Sequence, residues 1–190
     1  VAASGGSTNA ALHLPAIAHE CGIKFDLFDI AEIFKKTPYV ADLKPGGRYV
    51  AKDMFEVGGI PLLMKTLLDN GHLHGDCLTV TGRTIAENLK SVKWNPHQDV
   101  VRSADKPITV TGGVVGLKGN LAPESCLLKL SGKALEKGQF RGTARVFESE
   151  ADTMAAIRAG EIVPGNVIVV RNVGPVGGPG MPEMVMLTIQ

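Results

Sequence analysis

Cysteine is scarce in this 190-residue sequence, and its distribution limits the redox and metal chemistry that the chain can support. The three cysteines, Cys21, Cys77 and Cys126, are odd in number, lie far apart and form no Cys-x-x-Cys pair. This usage argues against a disulfide framework and indicates a reducing compartment, which is the cytoplasm or, in a eukaryote, an organelle stroma or matrix. We expect free, buried thiols and no cluster or zinc site built from these cysteines.

Net charge and aromatic content are also low, and neither favours a nucleic-acid or membrane partner. The formal net charge is +1, which gives no electrostatic attraction to a polyanion. Aromatic residues make up 5% of the sequence, too few for a base-stacking platform. Apolar runs such as residues 167–170 are far shorter than a membrane span, and no signal-peptide pattern opens the sequence. The chain begins at Val1 without Met, so we expect a piece of a longer polypeptide.

Glycine and proline, by contrast, are concentrated near the C-terminal end. Residues 171–184 follow the apolar run 167–170 and place four glycines and three prolines around a single carboxylate, Glu183. Glycine permits tight turns and close approach of a ligand, whereas proline stiffens the backbone. A lone acid at the end of such a loop suits a hard cation such as Mg²⁺. The alternative is a solvated acid in a surface turn.

A second glycine-rich segment, residues 5–9, precedes a helical pattern. Apolar residues recur over positions 10–21 at helical spacing, with Gly22 as the stop and Ser7 or Thr8 as the N-cap. A helix N-terminus preceded by glycines is suited to bind a carboxylate or phosphate. The alternative is an ordinary capped helix.

The middle of the chain predicts further helices and two polar segments of undecided role. Helices are expected over residues 30–36, starting from Asp29, over 60–69, and over Ile85–Leu89, with Thr84 as the cap and Glu87 as its capping-box partner. Residues 78–80 predict a short buried strand.

The undecided segments carry positively charged and histidine side chains. Lys44 and Arg48 either hold a substrate carboxylate or are solvated. His72 and His74 either contact one ligand from an extended segment or belong to a polar turn, since no third metal ligand is evident.

Periodicity is lost over residues 90–106, and β-rich runs follow it. We place a domain boundary or long connection there. Strands are predicted over 108–111, 113–117, 127–130 and 144–147, then a helix capped by Ser149, then a strand over 167–170. The pattern indicates an α/β fold in which the second part is a small β-rich barrel or a swivelling α/β unit.

Five motifs in this chain together resemble one known family. They are GGSTNA at residues 5–10, ADLKPGGRY at 41–49, HGDCLTVTG at 74–82, KGNLAP at 118–123 and GGPGMPE at 177–183. In this order they are similar to the dihydroxy-acid dehydratase family, which includes the phosphogluconate and sugar-acid dehydratases. The resemblance implies that residues 1–98 are the C-terminal part of an N-terminal α/β domain. Residues 99–190 would begin a C-terminal, β-rich, barrel-like swivelling domain.

The same resemblance implies a reaction. Family members remove water from a 2,3-dihydroxy carboxylic acid with an iron–sulfur cluster and Mg²⁺, and the enol product tautomerises to a 2-keto acid. The DCLTVTG form of the third motif resembles the member of branched-chain amino-acid biosynthesis. Sugar-acid dehydration is the runner-up, and a non-catalytic carboxylate-binding module is the alternative from another class.

By analogy, Glu183 would ligate Mg²⁺, and no catalytic residue is assigned to this chain. The cluster ligands and the base would lie outside it, so the 190-residue chain alone is expected to be inactive, and the full-length enzyme is expected to be a homodimer. The substrate-binding residues would be Ser7, Thr8, Asn9, Gly178, Gly180 and Met181.

Overall fold

The computed structural model describes residues 1–44, 46–130, 139–171 and 173. A 3₁₀ turn, Ala2–Ser4, opens the chain. In the described part the helices are α1 (Ala10–Glu20), α2 (Leu27–Lys36), α3 (Ala51–Glu56), α4 (Gly59–Asp69), α5 (Ile85–Leu89) and α6 (Glu150–Arg158). The strands are β1 (Val114–Leu117), β2 (Cys126–Lys129), β3 (Thr143–Phe147) and β4 (Asn166–Val170). This mixture of helices and short strands agrees with the predicted α/β class.

The start of α1 differs from the prediction at its cap. Asn9, and not Ser7 or Thr8, occupies the N-cap position, and its backbone is already helical at φ −58° and ψ −25°. The Ser7 hydroxyl instead accepts the N–H of Asn9 at 3.2 Å, forming a short turn before the helix. The predicted stop is confirmed, since Gly22 has φ 69°, the left-handed conformation that ends helices.

Helix α2 begins earlier than predicted because its cap is Asp26. The Asp26 carboxylate accepts the N–H groups of Phe28 and Asp29 at 2.8 and 3.2 Å. In return, the Asp29 carboxylate accepts the Asp26 N–H at 2.9 Å. Asp29 is therefore the third helical residue and not the first, and the helix that follows buries Ile30 and Phe34.

Of the other elements predicted in the first half, the two helices are confirmed and the strand is wrong. Helices α4 and α5 lie where the sequence placed them to within a residue, and Thr84 caps α5 with Glu87 as partner. Helix α3 was not predicted. The buried strand over 78–80 is wrong, because Leu78 and Val80 are exposed and this segment makes a single bridge, between Leu78 and Thr84.

The main core joins the first half to the residues just after the expected boundary. Val40 and Ala41 pack with α3 and α4, including the fully buried Leu62, and with Val100 and Val101. An isolated β-bridge between Ala41 and Val101 holds the two segments together. The first residues of the region 99–190 thus complete the core of the region before it, and the division at residue 98 stays a prediction.

A second core lies between α2 and an antiparallel hairpin made by β1 and β2. Its buried residues are Ala2, Ala11, Ile30, Phe34 and Val114. The hairpin register pairs Val114 with Lys129 and Leu117 with Cys126. The predicted strands over 113–117 and 127–130 are therefore confirmed with shifts of one residue.

The last described unit is a β–α–β crossover. Strands β3 and β4 are parallel, with Thr143 opposite Asn166, and α6 connects them. The Ser149 hydroxyl caps α6 by accepting the N–H of Asp152 at 3.1 Å, as predicted. The predicted strand over 108–111 is wrong, since only the bridge between Tyr39 and Thr109 forms there. The described strands form two separate two-stranded sheets, so a barrel stays a prediction.

The exposure of the cysteines differs from the prediction. Cys21, Cys77 and Cys126 are free, but Cys21 and Cys77 are exposed, so their predicted burial is wrong. None of the helices within the described ranges has the length and apolar character that crossing a bilayer requires.

Candidate functional site

A cavity of about 550 Å³ lies where the glycine-rich opening, α2 and the β1–β2 hairpin meet. Gly5 adopts φ 63°, and a Cβ atom there would lie 2.8 Å from the hydroxyl oxygen of Tyr39. This residue therefore has to be glycine for the Tyr39 ring to lie against the opening turn. The lining residues are Gly5, Gly6, Phe34, Tyr39, Gly46, Ile108, Thr109, Thr111, Gly112, Gly113, Val114, Lys129 and Leu130.

Most of the cavity wall is apolar, and its polar side chains are those of Tyr39, Thr109, Thr111 and Lys129. Phe34 and Val114 are buried, whereas Tyr39 and Lys129 are half-buried. The Thr109 hydroxyl is already engaged, since it donates to the Thr111 carbonyl oxygen at 2.6 Å. Burial, with the Asp42 carboxylate as a smaller cause, raises the pKa of Tyr39 above its ordinary value. Its hydroxyl therefore stays protonated at neutral pH and can donate a hydrogen bond.

The predicted substrate-binding residues after Gly6 flank this cavity without lining it. The N–H of Asn9 is bonded to the Ser7 hydroxyl. Those of Ala10 and Ala11 donate to the carbonyl oxygens of Ser7 and Thr8 at 3.2 and 3.0 Å. These helix N–H groups are therefore not free to hold an anion. Substrate binding by Ser7, Thr8 and Asn9 stays a prediction, and the side chains of these residues would have to make the contacts.

Arg48 is engaged by two carboxylates of the chain itself. Its Nε donates to Asp42 Oδ2 at 2.6 Å, and its terminal nitrogen donates to Asp99 Oδ2 at 2.9 Å. The Tyr49 hydroxyl donates to the other oxygen of Asp99 at 2.5 Å. These bonds raise the pKa of Arg48 above its usual range and lower that of Asp99, with Tyr49 as the larger cause for Asp99. Arg48 thus fastens its own loop to the segment at Asp99 and does not present a free guanidinium to a ligand.

The other polar residues singled out in the sequence lie on the surface. Lys44, His72 and His74 are exposed. Within residues 1–44, 46–130, 139–171 and 173, no three histidine, cysteine, aspartate or glutamate side chains come together as a metal site. The described residues therefore do not fit an iron–sulfur cluster or a complete Mg²⁺ site.

Four of the predicted site residues lie outside the described residues. They are Glu183, the proposed Mg²⁺ ligand, and Gly178, Gly180 and Met181. Their roles stay predictions.

Sequence reasoning gave no role to Tyr39 and Lys129, two of the polar residues that line the cavity. A signal for Lys129 was present: in a strand over 127–130, alternation places Leu127 and Lys129 on one face. A lysine on the face that carries a core-packing leucine is unusual enough to mark a site. No comparable signal distinguishes Tyr39, because its position depends on contacts with Gly5 that are distant in sequence.

Comparison with known families gives two matches that together cover most of the chain. Residues 1–88 match the family model described as dihydroxy-acid/6-phosphogluconate dehydratase N-terminal. Residues 99–190 match the model described as dihydroxy-acid/6-phosphogluconate dehydratase C-terminal.

Individual curated proteins show the same similarity at high identity. The chain is 77% identical over 188 residues to dihydroxy-acid dehydratase 2 of Bradyrhizobium diazoefficiens, covering 99% of this chain and 32% of that protein. It is 68% identical to dihydroxy-acid dehydratase 2 of Mesorhizobium japonicum, with the same coverage. It is 50% identical to dihydroxy-acid dehydratase of Saccharolobus islandicus, covering 98% of this chain and 33% of that protein. The chain spans about a third of the length of these relatives. The chain belongs to the dihydroxy-acid/6-phosphogluconate dehydratase family.

Proposed function

We propose that this chain is a segment of a dihydroxy-acid dehydratase, a hydro-lyase that removes water from a 2,3-dihydroxy carboxylic acid to give a 2-keto acid. The observation that supports this most strongly is the 77% identity, across 99% of the chain, to a protein named dihydroxy-acid dehydratase 2. Matches to both the N-terminal and the C-terminal family models, in that order along the chain, support it further.

The substrate we propose is a branched-chain dihydroxy acid of amino-acid biosynthesis and not a sugar acid. The relatives from bacteria and an archaeon all carry the name dihydroxy-acid dehydratase, although the family models also include 6-phosphogluconate dehydratase. The largely apolar wall of the cavity, with Phe34, Val114 and Leu130, agrees with an aliphatic substrate better than with a polyhydroxylated one.

For the cofactors we propose an iron–sulfur cluster, whose ligands lie outside this chain, and Mg²⁺ with Glu183 as one ligand. When bound, these groups supply Lewis-acid assistance to loss of the hydroxyl and an anchor for the substrate oxygens. Glu183 offers the carboxylate oxygen that Mg²⁺ prefers. The substrate-binding role of the glycine-rich segments rests on Ser7, Thr8 and Asn9 and on Gly178, Gly180 and Met181 by family analogy.

We propose further that the 190-residue chain alone is inactive and that the full-length enzyme is a homodimer in the cytoplasm or in an organelle stroma or matrix. The first statement is supported by the length of the chain, which spans about a third of the relatives that carry the name dihydroxy-acid dehydratase. The free cysteines support a reducing compartment. We also propose that residues 99–190 begin a barrel-like swivelling domain, since all four described strands follow residue 99.

The test is turnover by the longer protein, purified without oxygen and supplied with Mg²⁺. With 2,3-dihydroxy-3-methylbutanoate we expect formation of the corresponding 2-keto acid, and with gluconate or 6-phosphogluconate little or none. The substitution Glu183→Gln should abolish turnover, whereas Glu20→Gln, at an exposed position that ends α1, should leave it unchanged. Faster turnover of a sugar acid would replace the substrate assignment. Full activity of the Glu183→Gln variant would remove Glu183 from the metal site.

A further inference from the structure

Lys129 occupies a position where a lysine is unexpected. It lies opposite Val114 in the register of the β1–β2 hairpin. Directly opposed residues of an antiparallel pair project from the same face of the sheet. Val114 is buried in the second core, so Lys129 projects from the core-facing side of the hairpin, at the end where the cavity lies.

The ammonium group of Lys129 has no counter-ion within the described residues. The ion pairs found there involve other lysines and arginines, and none includes Lys129. A half-buried charge without a partner is costly, because desolvation is not compensated by an attractive interaction. An anion in the cavity would provide that compensation.

Tyr39 provides a second group directed at the same space. Its hydroxyl makes no hydrogen bond with any described residue, although hydroxyl groups of partly buried tyrosines usually have a partner. Gly5 and Gly46 approach this hydroxyl closely, since a Cβ atom added to them would lie 2.8 and 3.6 Å from it. Neither glycine has a side chain that could use the hydroxyl.

The rest of the cavity wall is largely apolar and would contact the apolar part of a ligand. Phe34, Ile108, Val114 and Leu130 give the cavity an aliphatic and aromatic surface. A volume of about 550 Å³ lies within the range of roughly 300–1,000 Å³ that is usual for small-molecule sites. One cationic group, the hydroxyl groups of Tyr39 and Thr111 and a largely apolar wall together suit an amphipathic anion.

We propose that this cavity binds a small aliphatic carboxylate, whose carboxylate group is held by the Lys129 ammonium and the Tyr39 hydroxyl. The aliphatic chain contacts the apolar wall. Two sources have this chemistry, a substrate of the longer enzyme and a non-reacting carboxylic acid that regulates it. The binding site is the same in both cases and does not depend on turnover.

The test is isothermal titration calorimetry of the longer protein with sodium 3-methylbutanoate, which cannot be dehydrated. We expect the substitution Lys129→Met to weaken binding roughly tenfold or more, because a charge-assisted hydrogen bond is lost. Tyr39→Phe keeps the ring and should weaken binding by a smaller factor. It also serves as the second variant if Lys129→Met folds poorly. Equal dissociation constants for the wild type and a folded Lys129→Met variant, or no binding of the probe at millimolar concentration, would overturn the proposal.

Two controls separate charge recognition from general effects. Lys118 follows β1 on the exposed end of the same hairpin, with its Nζ 4.8 Å from the Phe28 ring centroid, so Lys118→Met should not change the affinity. The neutral analogue 3-methylbutanamide should bind the wild type and the Lys129→Met variant alike. A loss of amide binding equal to the loss of carboxylate binding would mean that the cavity has collapsed and that no carboxylate is recognised.

Inhibition kinetics distinguish the two sources. Competition between 3-methylbutanoate and the dihydroxy acid would identify the cavity as the substrate site, whereas noncompetitive inhibition dependent on Lys129 would identify a regulatory site. If the longer protein forms no 2-keto acid but binds the probe through Lys129, the proposed function fails and this site stands. If turnover occurs and probe binding is absent, the site fails and the proposed function stands.

Discussion

The helical region before residue 99 and the strand region after it differ in how completely they bury their own apolar residues. Helices α3 and α4 contribute Met54, Leu62 and Leu63 to a core that is closed by Val100 and Val101. Strand β4, by contrast, is half-buried along its whole length, and β3 contains three exposed and two half-buried residues. The first region thus supplies most of a core that Val100 and Val101 complete, whereas β3 and β4 contain no buried residue and the buried residues of their unit lie on α6.

The small size of its sheets explains why the stability of the second region depends on helices packed against them. Two-stranded sheets are at most marginally stable in water unless another layer covers one face. The β1–β2 hairpin is covered by α2 of the first region, and the β3–β4 pair has α6 on it. Most of the stability in the described chain should therefore reside in the helical core.

Removing a side chain from that core should have the largest effect. Leu62 is 1% exposed, and Leu62→Ala should lower the free energy of unfolding by about 2–5 kcal/mol, because it leaves a cavity. Native-state hydrogen exchange of the longer protein, read on peptides covering α4, measures the change. Ile60→Ala on the same helix is the control, since Ile60 is 58% exposed and the loss there should be about 0.5 kcal/mol or less. Equal losses at both positions would contradict the placement of α4.

A substitution in β4 tests the other side of the comparison. Ile168 lies opposite Arg145 and is half-buried, so Ile168→Ala should cost about 1 kcal/mol. The measurement is hydrogen exchange on peptides covering β3 and β4. A cost as large as that of Leu62→Ala would show that β4 is covered by a part of the protein beyond the described residues, and the contrast between the two regions would then disappear.

The same contrast explains which elements could be predicted from the sequence. Helices α4 to α6 were predicted because their signals are local: a proline in the first turn of α4, and Thr84 or Ser149 at a cap with an acid three residues later. The start of α2 was placed wrongly because Asp26 and Asp29 are both acceptable caps, and only the backbone shows which one is used.

Elements that depend on distant contacts were harder to predict. Residues 78–80 have the composition of a strand, yet they have no partner strand among the described residues. The Thr79 hydroxyl instead donates to the Arg83 carbonyl oxygen and accepts from the Asn88 side-chain amide. The cavity could not be predicted either, because Tyr39 and Lys129 come together only through the packing of α2 on the hairpin. Glu183 came from motif resemblance, and its role stays a prediction.

Helix caps should matter less than core residues and should act locally. The Thr84 hydroxyl accepts the N–H of Glu87 at 3.2 Å, and the Glu87 carboxylate accepts the N–H of Thr84 at 2.7 Å. Thr84→Ala should therefore cost about 1 kcal/mol, seen as faster hydrogen exchange in α5. Thr84→Ser keeps the hydroxyl and should restore most of the protection. If the serine variant exchanges as fast as the alanine variant, the hydroxyl is not the stabilising group.

The smallest expected effect concerns the contact that joins the two regions, and it should depend on pH. Hydrogen bonds from Tyr49 and then Arg48 hold the pKa of Asp99 below its ordinary value of 3.8. Because the folded-state pKa is depressed, the stabilisation is fully present above the unfolded-state pKa and is lost as the pH falls through the folded-state value. Asp99→Asn should therefore speed hydrogen exchange of residues 40–50 at pH 6, and the difference from wild type should shrink below about pH 4. Subtracting the exchange rates of the wild type from those of the variant at each pH cancels the effects of acid that both proteins share.

Asp76→Asn is the control, since Asp76 is exposed and has no ion pair among the described residues. A difference between the wild type and the Asp99→Asn variant that stays constant from pH 6 to pH 3 would mean that the carboxylate charge does not hold the two regions together, and that Arg48 fastens the loop through Asp42 alone.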